Sequence, residues 1–128
     1  MSSLKITILS GFACFWILLT SCQHEPELVP GLPEVCFDND VMMIINSNCN
    51  VPGCHGDGEG PSLSTYDDVV RFVTPGKPMK SKLHKVITAN SFSLSVMPPK
   101  PKQMLSSSQI DIISLWILQG ANQTHCPK

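Results

Sequence analysis

The sequence predicts a single all-α domain of about four short helices joined by long loops, and three observations support this. The chain has 128 residues, which is enough for one ordinary domain and too few for two. Apolar residues recur at helical spacing in four segments, whereas strand-like alternation is weak and confined to residues 91–96. Residues 50–62 and 97–102 are too rich in proline and glycine to form regular helix and are expected to be loops.

Residues 1–21 have the pattern of an export signal. Lys5 precedes an uncharged apolar run over residues 6–19, which is shorter than the roughly 20 apolar residues of a membrane-spanning helix. The run ends in Leu-Thr-Ser before Cys22, which resembles a bacterial lipobox. That resemblance implies cleavage before Cys22 and attachment of lipid to its thiol, so that acyl chains would anchor the protein to a membrane. The alternative is an ordinary secretory signal followed by a chance cysteine.

Residues 22–35 are rich in proline and glutamate and are predicted to be an extended tether, so the folded domain is expected over residues 36–126. The formal net charge of the full chain is −1. Removal of residues 1–21 would remove one basic residue and no acidic one, and would leave a charge of −2. Nucleic acid is therefore not an expected partner, because its binding requires a basic surface.

The first three helices are predicted from apolar spacing. The first is expected over residues 38–47. The second is expected to begin after Ser64, as its N-cap, and to end at Pro75-Gly76. The third is expected from Met79 to Thr88, with His84 exposed to solvent among lysines.

The fourth helix carries the clearest signals. Ser106 and Gln109 have the spacing of a capping box, and Leu105 and Ile110 occupy the two positions of a hydrophobic staple. Gly120 is placed to close the helix in the left-handed conformation. Four short helices provide a thin core for a domain with such long loops. A large apolar prosthetic group would supply the missing core.

Residues 49–56 read Cys-Asn-Val-Pro-Gly-Cys-His-Gly, which is close to the haem attachment motif C-x-x-C-H. In that motif two thiols add to the vinyl groups of a haem, and the adjacent histidine binds the iron. Here four residues separate Cys49 from Cys54, and a Pro-Gly turn would let the additional residues bulge outward. Two alternatives are a Cys49–Cys54 disulfide and a zinc site with His55, although no fourth zinc ligand is evident.

A second axial ligand is predicted at Met97, which is followed by Pro98 and Pro99. Many c-type haems take a methionine in this position, which raises the reduction potential. Two prolines would hold the methionine on a rigid loop. Most methionines only fill gaps in a core, but a proline-rich loop is an unusual place for such a residue. His84 is the alternative ligand.

The ordered set of these motifs resembles the planctomycete-type cytochrome c domains, especially the short lipoprotein versions found in Bacteroidetes. The resemblance covers about residues 36–126. The matching pieces are Asn48-Cys49 through Cys54-His55-Gly56, Pro75-Gly76-Lys77-Pro78 with Ser81-x-Leu83, Met97-Pro98-Pro99, Leu105-Ser106-x-x-Gln109-Ile110 and Trp116-Ile117-x-x-Gly120-Ala121.

The resemblance implies a cytochrome c-like fold around one covalently attached haem c. Cys49 and Cys54 correspond to the thioether cysteines, His55 to the proximal iron ligand and Met97 to the distal one. Similar proteins also carry a cysteine before the first helix and another near the C-terminus. Because the first and last helices pack together in this fold, Cys36 and Cys126 are expected to form a disulfide. The alternative is two free thiols, which an oxidising compartment disfavours.

The leading hypothesis is a one-electron carrier rather than an enzyme, because His55 and Met97 would fill both axial positions of the iron. It would be a lipoprotein of the cell envelope, either facing the periplasm or in the outer membrane. Residues 77–102 contain six lysines and no acid, whereas residues 34–68 contain seven acids and no lysine or arginine. These are either two solvated faces or a dipolar surface that steers a redox partner. The alternatives are a disulfide-stapled binding or structural lipoprotein without haem, and a haem-based ligand sensor.

Overall fold

A computed structural model describes residues 31–127, and Cys22, the predicted signal and most of the predicted tether lie outside the described residues. Within this range the chain forms helices and loops and no strand, so the predicted all-α class is confirmed for it. No helix in residues 31–127 combines the length and the apolar character needed to cross a bilayer. The elements are α1, which opens with a π-turn at Phe37–Val41 and continues as Met42–Asn48, α2 at Tyr66–Val70, a 3-10 turn at Pro78–Lys80, α3 at Lys82–Ile87 and α4 at Ser107–Leu118.

Helix α1 lies close to its predicted position and begins with one wide turn. The carbonyl of Cys36 accepts hydrogen bonds from the amides of both Asp40 and Val41, at 2.9 and 3.4 Å, and the longer of these closes the π-turn. The Asp40 carboxylate in turn accepts from the Cys36 amide at 2.8 Å. Phe37, Val41 and Ile45 are buried, so the turn keeps the apolar side chains of both halves on one face.

Helix α2 is shorter than the spacing predicted and starts one residue later. Its N-cap is Thr65 rather than Ser64, because the Thr65 hydroxyl accepts a hydrogen bond from the Asp68 amide at 3.2 Å. The helix ends at Val70 and does not continue to Pro75. The chain leaves the helix there because the carbonyl of Phe72 accepts from the Leu83 amide at 3.0 Å, a contact with α3 that a longer helix would prevent.

The predicted third helix is divided at Ser81. The residues before it form a 3-10 turn, and α3 begins at Lys82. Ser81 itself is extended and fully buried, and its hydroxyl accepts a hydrogen bond from the Thr74 amide at 2.8 Å. The same hydroxyl lies 3.1 Å from the carbonyl oxygen of Lys77. At the break, the Ser81 hydroxyl therefore provides a hydrogen-bond partner for the Thr74 amide and the Lys77 carbonyl. A continuous helix would leave these two groups without this partner.

The expectation that His84 is exposed is wrong, since only 8% of its surface is accessible. Its neighbours on α3, Leu83 and Ile87, are both buried core residues. His84 lies one helical turn before Ile87 and therefore shares the inward face of α3. Its Nδ1 atom is buried and makes no hydrogen bond within the described part of the chain.

The N-terminus of α4 is confirmed as predicted. The Ser106 hydroxyl accepts from the Gln109 amide at 3.3 Å, and the Gln109 side chain accepts from the Ser106 amide at 2.9 Å, which completes the capping box. Leu105 is buried and Ile110 packs against the core. These two apolar residues flank the cap at the positions of a hydrophobic staple.

The C-terminus of α4 ends in a Schellman motif. The amide of Ala121 donates to the carbonyl of Trp116 at 2.9 Å, and the amide of Gly120 donates to that of Ile117 at 3.1 Å. Gly120 has a φ of +103°, which glycine adopts without the steric cost of a Cβ atom. The closure predicted at Gly120 is therefore present.

The core forms where α1, α2 and α4 meet. The rings of Phe37 and Trp116 lie 5.3 Å apart, and the Phe37 and Tyr66 rings meet edge to face at 5.1 Å. The Tyr66 hydroxyl donates to the carbonyl of Ala121 at 2.9 Å, and the indole of Trp116 donates to that of Asn122 at 2.9 Å. Trp116 is thus buried and Tyr66 half-buried, and each keeps a hydrogen bond for its polar atom.

The folded part of the chain begins before residue 36. The Gln119 side chain accepts from the Val35 amide at 3.0 Å and donates to the Pro33 carbonyl at 2.8 Å. Val35 is also part of the core. The last residues of the predicted tether are therefore held by the residue that follows α4. No sequence pattern indicates this contact, because Gln119 acts on main-chain groups.

The two ends of the described segment meet beside α1. Cys36 and Cys126 are joined as a disulfide, with Cα atoms 5.8 Å apart, and this is the pairing that the family resemblance implies. The amide of Phe37 donates to the Thr124 hydroxyl at 3.0 Å. His125 Nδ1 pairs with the Asp38 carboxylate. Hydrogen bonds of α1 with the C-terminal segment thus hold the ends together independently of the covalent bond.

Candidate functional site

One cavity of about 350 Å³ lies between the loop that follows α1 and the proline-rich segment at residues 97–99. Its volume falls in the range of about 300–1,000 Å³ that is typical of ligand pockets. Cys49, Cys54, His55 and Met97 all line it, so the four cofactor-binding residues predicted from the sequence are brought together. The other lining residues are Asn48, Gly53, Glu59, Gly60, Pro61, Pro98 and Pro99.

The loop between the two cysteines is folded into a compact turn at the end of α1. The Cys49 amide donates to the Ile45 carbonyl at 2.8 Å, so Cys49 still belongs to the last turn of the helix. The carbonyl of Cys49 accepts from the His55 amide at 3.2 Å, and the Cys54 amide donates to the Val51 carbonyl at 3.1 Å. These bonds close the four-residue spacer on itself and leave both thiols and the imidazole at the same cavity.

Asp57 holds the outer side of this turn. Both of its carboxylate oxygens accept from the amide of Gly53, at 2.9 and 3.0 Å. Gly53 has a φ of +75°, a conformation that a Pro-Gly turn supplies readily. The turn is predicted from the sequence and the Asp57 contact is not, although an aspartate close to a glycine turn is a recognisable signal for such a contact.

The orientation of His55 is fixed by a main-chain acceptor. His55 Nδ1 lies 2.7 Å from the Pro61 carbonyl oxygen, and because a carbonyl only accepts, Nδ1 must carry the proton. The neutral ring then has its lone pair on Nε2, the nitrogen that is free to bind a metal. Metal-binding histidines commonly donate their second nitrogen to a carbonyl in this way.

Gly60 lies directly against the His55 ring. A Cβ atom at Gly60 would come within 2.7 Å of Nδ1 and 2.9 Å of Cε1. Any larger residue would therefore displace the ring or the loop. The role of Gly60 was not predicted from the sequence, because no local pattern distinguishes it from the other glycines in this segment.

Met97 reaches the cavity from a different part of the fold. Its amide donates to the carbonyl of Val86, the residue before the end of α3, at 2.9 Å. Val96 and Pro98 on either side are buried, and 36% of the Met97 surface is exposed. The segment is thus held on both sides of Met97, while its side chain remains at the cavity.

The two thiols are not joined to each other, in contrast to the disulfide alternative. Burial and, to a smaller extent, the negative charge that Cys54 would carry raise the pKa of Cys49 from 9.0 to about 11. Cys49 is therefore a neutral thiol at pH 7. Within residues 31–127, no three side chains from His, Cys, Asp and Glu form a group that could hold a metal ion.

The other two histidines of residues 31–127 lie elsewhere. His84, the alternative axial ligand, is buried on α3 and is absent from the residues that line the cavity. His125 pairs with Asp38 near the chain ends. The described residues therefore bring one histidine and one methionine to the cavity, each supported by a main-chain hydrogen bond.

Comparisons with protein-family models, with curated proteins and with solved structures find no match to this chain. The resemblance drawn from the motifs thus remains a prediction about the family. The fold and the site define a small helical domain with two free thiols, one imidazole and one thioether around an open cavity.

Proposed function

We propose that this protein is a membrane-anchored c-type cytochrome that transfers one electron at a time through a single covalent haem. One observation carries the proposal: Cys49, Cys54, His55 and Met97 line the same cavity, although Met97 is distant from the other three in sequence. A c-type haem requires two thiols, a histidine next to the second thiol and, in many cytochromes, a methionine. The chain supplies this set once within residues 31–127.

The thiols would hold the cofactor covalently. Each S–H would add across one vinyl group, so that a C–S bond forms and the thiol hydrogen moves to the neighbouring vinyl carbon. The free state of Cys49 and Cys54 supports this role, because a disulfide between them would leave no thiol to react. The compact spacer turn brings the two sulfur-bearing residues to one wall despite the four residues between them.

His55 and Met97 would be the two axial ligands. When bound, a c-type haem supplies an Fe(II)/Fe(III) couple, and methionine ligation raises its potential. The Pro61 carbonyl keeps His55 in the tautomer with a free Nε2. The Val86 carbonyl holds the main chain at Met97. With both axial positions taken by protein groups, the iron would have no site for a substrate, which supports electron transfer rather than catalysis.

The anchor and the partner are parts of the same proposal. Lipid on Cys22 would hold the protein in the cell envelope, and the chain between Cys22 and Pro33 would let the domain reach partners beside the membrane. The separation of lysines in residues 77–102 from acids in residues 34–68 supports docking by charge.

Retention of haem after denaturation tests the proposal. The protein is produced in a host with cytochrome maturation, unfolded in detergent under reducing conditions, and examined by haem staining and intact mass. We expect the haem mass to remain on the chain, to be attached through one thioether in Cys49→Ala or Cys54→Ala, and to be lost when both are replaced. Cys36→Ser/Cys126→Ser is the matched control and should keep the haem.

A colourless wild-type chain from that host would contradict the proposal and favour a binding lipoprotein without haem. Replacement of Met97 tests the axial pair separately. The wild-type haem should be low-spin, and Met97→Ala should become high-spin or bind added imidazole. A wild-type protein that is already high-spin and binds carbon monoxide readily would instead indicate a ligand sensor.

A further inference from the structure

Two large apolar side chains project into solvent from one short loop at residues 90–96. Phe92 is 84% exposed and Leu94 is fully exposed, whereas Val96 at the end of the loop is buried. A single exposed apolar residue is ordinary on a protein surface, but clustered ones mark interaction sites. The pair therefore marks a candidate binding surface.

The loop is shaped so that these side chains point away from the core. The Asn90 side chain accepts from the Phe92 amide at 3.0 Å, and the Asn90 carbonyl accepts from the Ser93 amide at 2.7 Å. The Ser93 hydroxyl accepts from the Ser95 amide at 3.3 Å. Polar side chains thus satisfy the main chain locally, as they do in surface turns, and the loop does not require the apolar pair for its own stability.

This loop is connected to the candidate haem cavity. The Lys100 ammonium lies 4.4 Å from the centre of the Phe92 ring, which is a cation–π distance. Lys100 follows Pro99, a lining residue of the cavity, and Met97 in the same segment is both a lining residue and partly exposed. We call Phe92, Leu94 and Lys100 the loop patch.

The charged residues of the segment that carries the loop patch are all of one sign. Residues 77–102 contain six lysines and no acid, and Lys100 and Lys102 are exposed. An apolar centre with basic residues beside it is complementary to an apolar contact bordered by carboxylates. A bilayer with anionic lipids would match the same charges, but it would also cover the mouth of the cavity through which electrons would have to leave.

We propose that the loop patch is the docking site for the acidic surface of a redox partner protein. The inference rests on the proposed electron-transfer function, and it adds to it the surface and the chemistry of the partner. Phe92 and Leu94 provide the desolvated contact, and Lys100 orients the partner and holds the Phe92 ring. A partner seated there lies beside Met97.

The test uses the full-length, haem-loaded protein in phosphatidylcholine vesicles, with covalent haem verified on the same sample. The probe is a small blue-copper protein with an acidic surface patch, and its control is the same protein with those carboxylates neutralised. Stopped-flow mixing measures electron exchange with each. Amide hydrogen exchange of residues 90–96 measures docking without reference to the haem, with the probe and, separately, with phosphatidylglycerol added to the vesicles.

We expect Phe92→Ser/Leu94→Ser to slow exchange with the acidic probe about tenfold, as loss of a contact hot spot does. Lys100→Glu should slow it similarly at low ionic strength, with the effect largely lost at about 0.5 M salt. Met43→Ser removes another apolar residue, 64% exposed on α1, and is the matched control, with a rate within about twofold of wild type. The acidic probe should protect residues 90–96, and its neutralised form should not.

Two results would overturn the inference. One is an unchanged rate in Phe92→Ser/Leu94→Ser together with no protection by the probe. The other is protection of residues 90–96 by phosphatidylglycerol and not by the probe, which would assign the loop patch to the membrane. Loss of covalent haem would refute the proposed function instead, and the hydrogen-exchange result would still report on docking.

Discussion

Replacement of both Cys36 and Cys126 by serine should destabilise the domain strongly and leave the candidate haem site in place. The two cysteines are 90 residues apart in sequence, so the bond closes almost the whole folded chain into one loop. The chain-entropy relation for a loop of this size gives about 4.6 kcal/mol at 25 °C. A small domain has a total stability of roughly 5–15 kcal/mol, so this loss is a large part of it.

The native contacts around the disulfide indicate whether it stabilises the folded state or restricts the unfolded one. The Thr124 hydroxyl accepts from the Phe37 amide, and the Cys126 carbonyl accepts from the Asn39 side chain at 2.8 Å. These hydrogen bonds hold the two ends of the described segment together without the covalent bond. The disulfide should therefore act chiefly by restricting the unfolded chain, and its removal should leave the native fold unchanged.

Urea unfolding of the haem-loaded protein, followed by far-ultraviolet circular dichroism, measures this effect. We expect the free energy of unfolding to fall by about 3–5 kcal/mol, with the same haem spectrum before unfolding. Asp38→Asn removes only the neighbouring ion pair and is the control, with a change of no more than about 1 kcal/mol. A loss below about 1 kcal/mol in the double serine variant would refute the reasoning.

Three further outcomes follow from single side chains. Gly60→Ala places a methyl group 2.7 Å from His55 Nδ1, so the haem-loaded protein should show a mixed spin state by absorption spectroscopy, whereas the exposed Ser64→Ala should not. Ile117→Ala empties a fully buried position and should cost about 2–5 kcal/mol in urea unfolding. Burial and, to a smaller extent, the charge of Asp67 raise the pKa of Tyr66. The neutral phenol therefore contributes to the stability of the fold. This contribution is fully present below the ordinary pKa of about 10 and is lost as the pH rises through the raised pKa. Tyr66→Phe should be less stable by about 1 kcal/mol at pH 7, and its stability should fall less than that of wild type in denaturation above pH 10.

The sequence predicted correctly those elements whose ends depend on residues close to one another in the chain. Helix α4 was predicted at both ends because Ser106, Gln109 and Gly120 act on main-chain groups within one turn. The thiol–imidazole segment was found for the same reason, since Cys49, Cys54 and His55 are close in sequence. Both cases depend on short-range geometry that residue spacing records.

The features that the sequence did not predict depend on distant main-chain groups. The end of α2 and the break before α3 follow from hydrogen bonds of Ser81 with the loop at Thr74 and of Leu83 with Phe72. His84 is buried because it lies on the same face of α3 as the core residue Ile87. The Pro61 carbonyl that orients His55 has no sequence signal, since every residue carries a carbonyl.

The site consists of two halves that the fold holds by separate means. The thiols and His55 are held by hydrogen bonds within residues 45–61, which involve no other helix than α1. Met97 is instead held by α3, through the Val86 carbonyl, and the position of α3 depends on the buried Ser81. In the proposed cytochrome, covalent attachment and methionine ligation should therefore be separable. A change that shifts α3 should alter the potential and spin state of a bound haem while both thioether positions remain intact.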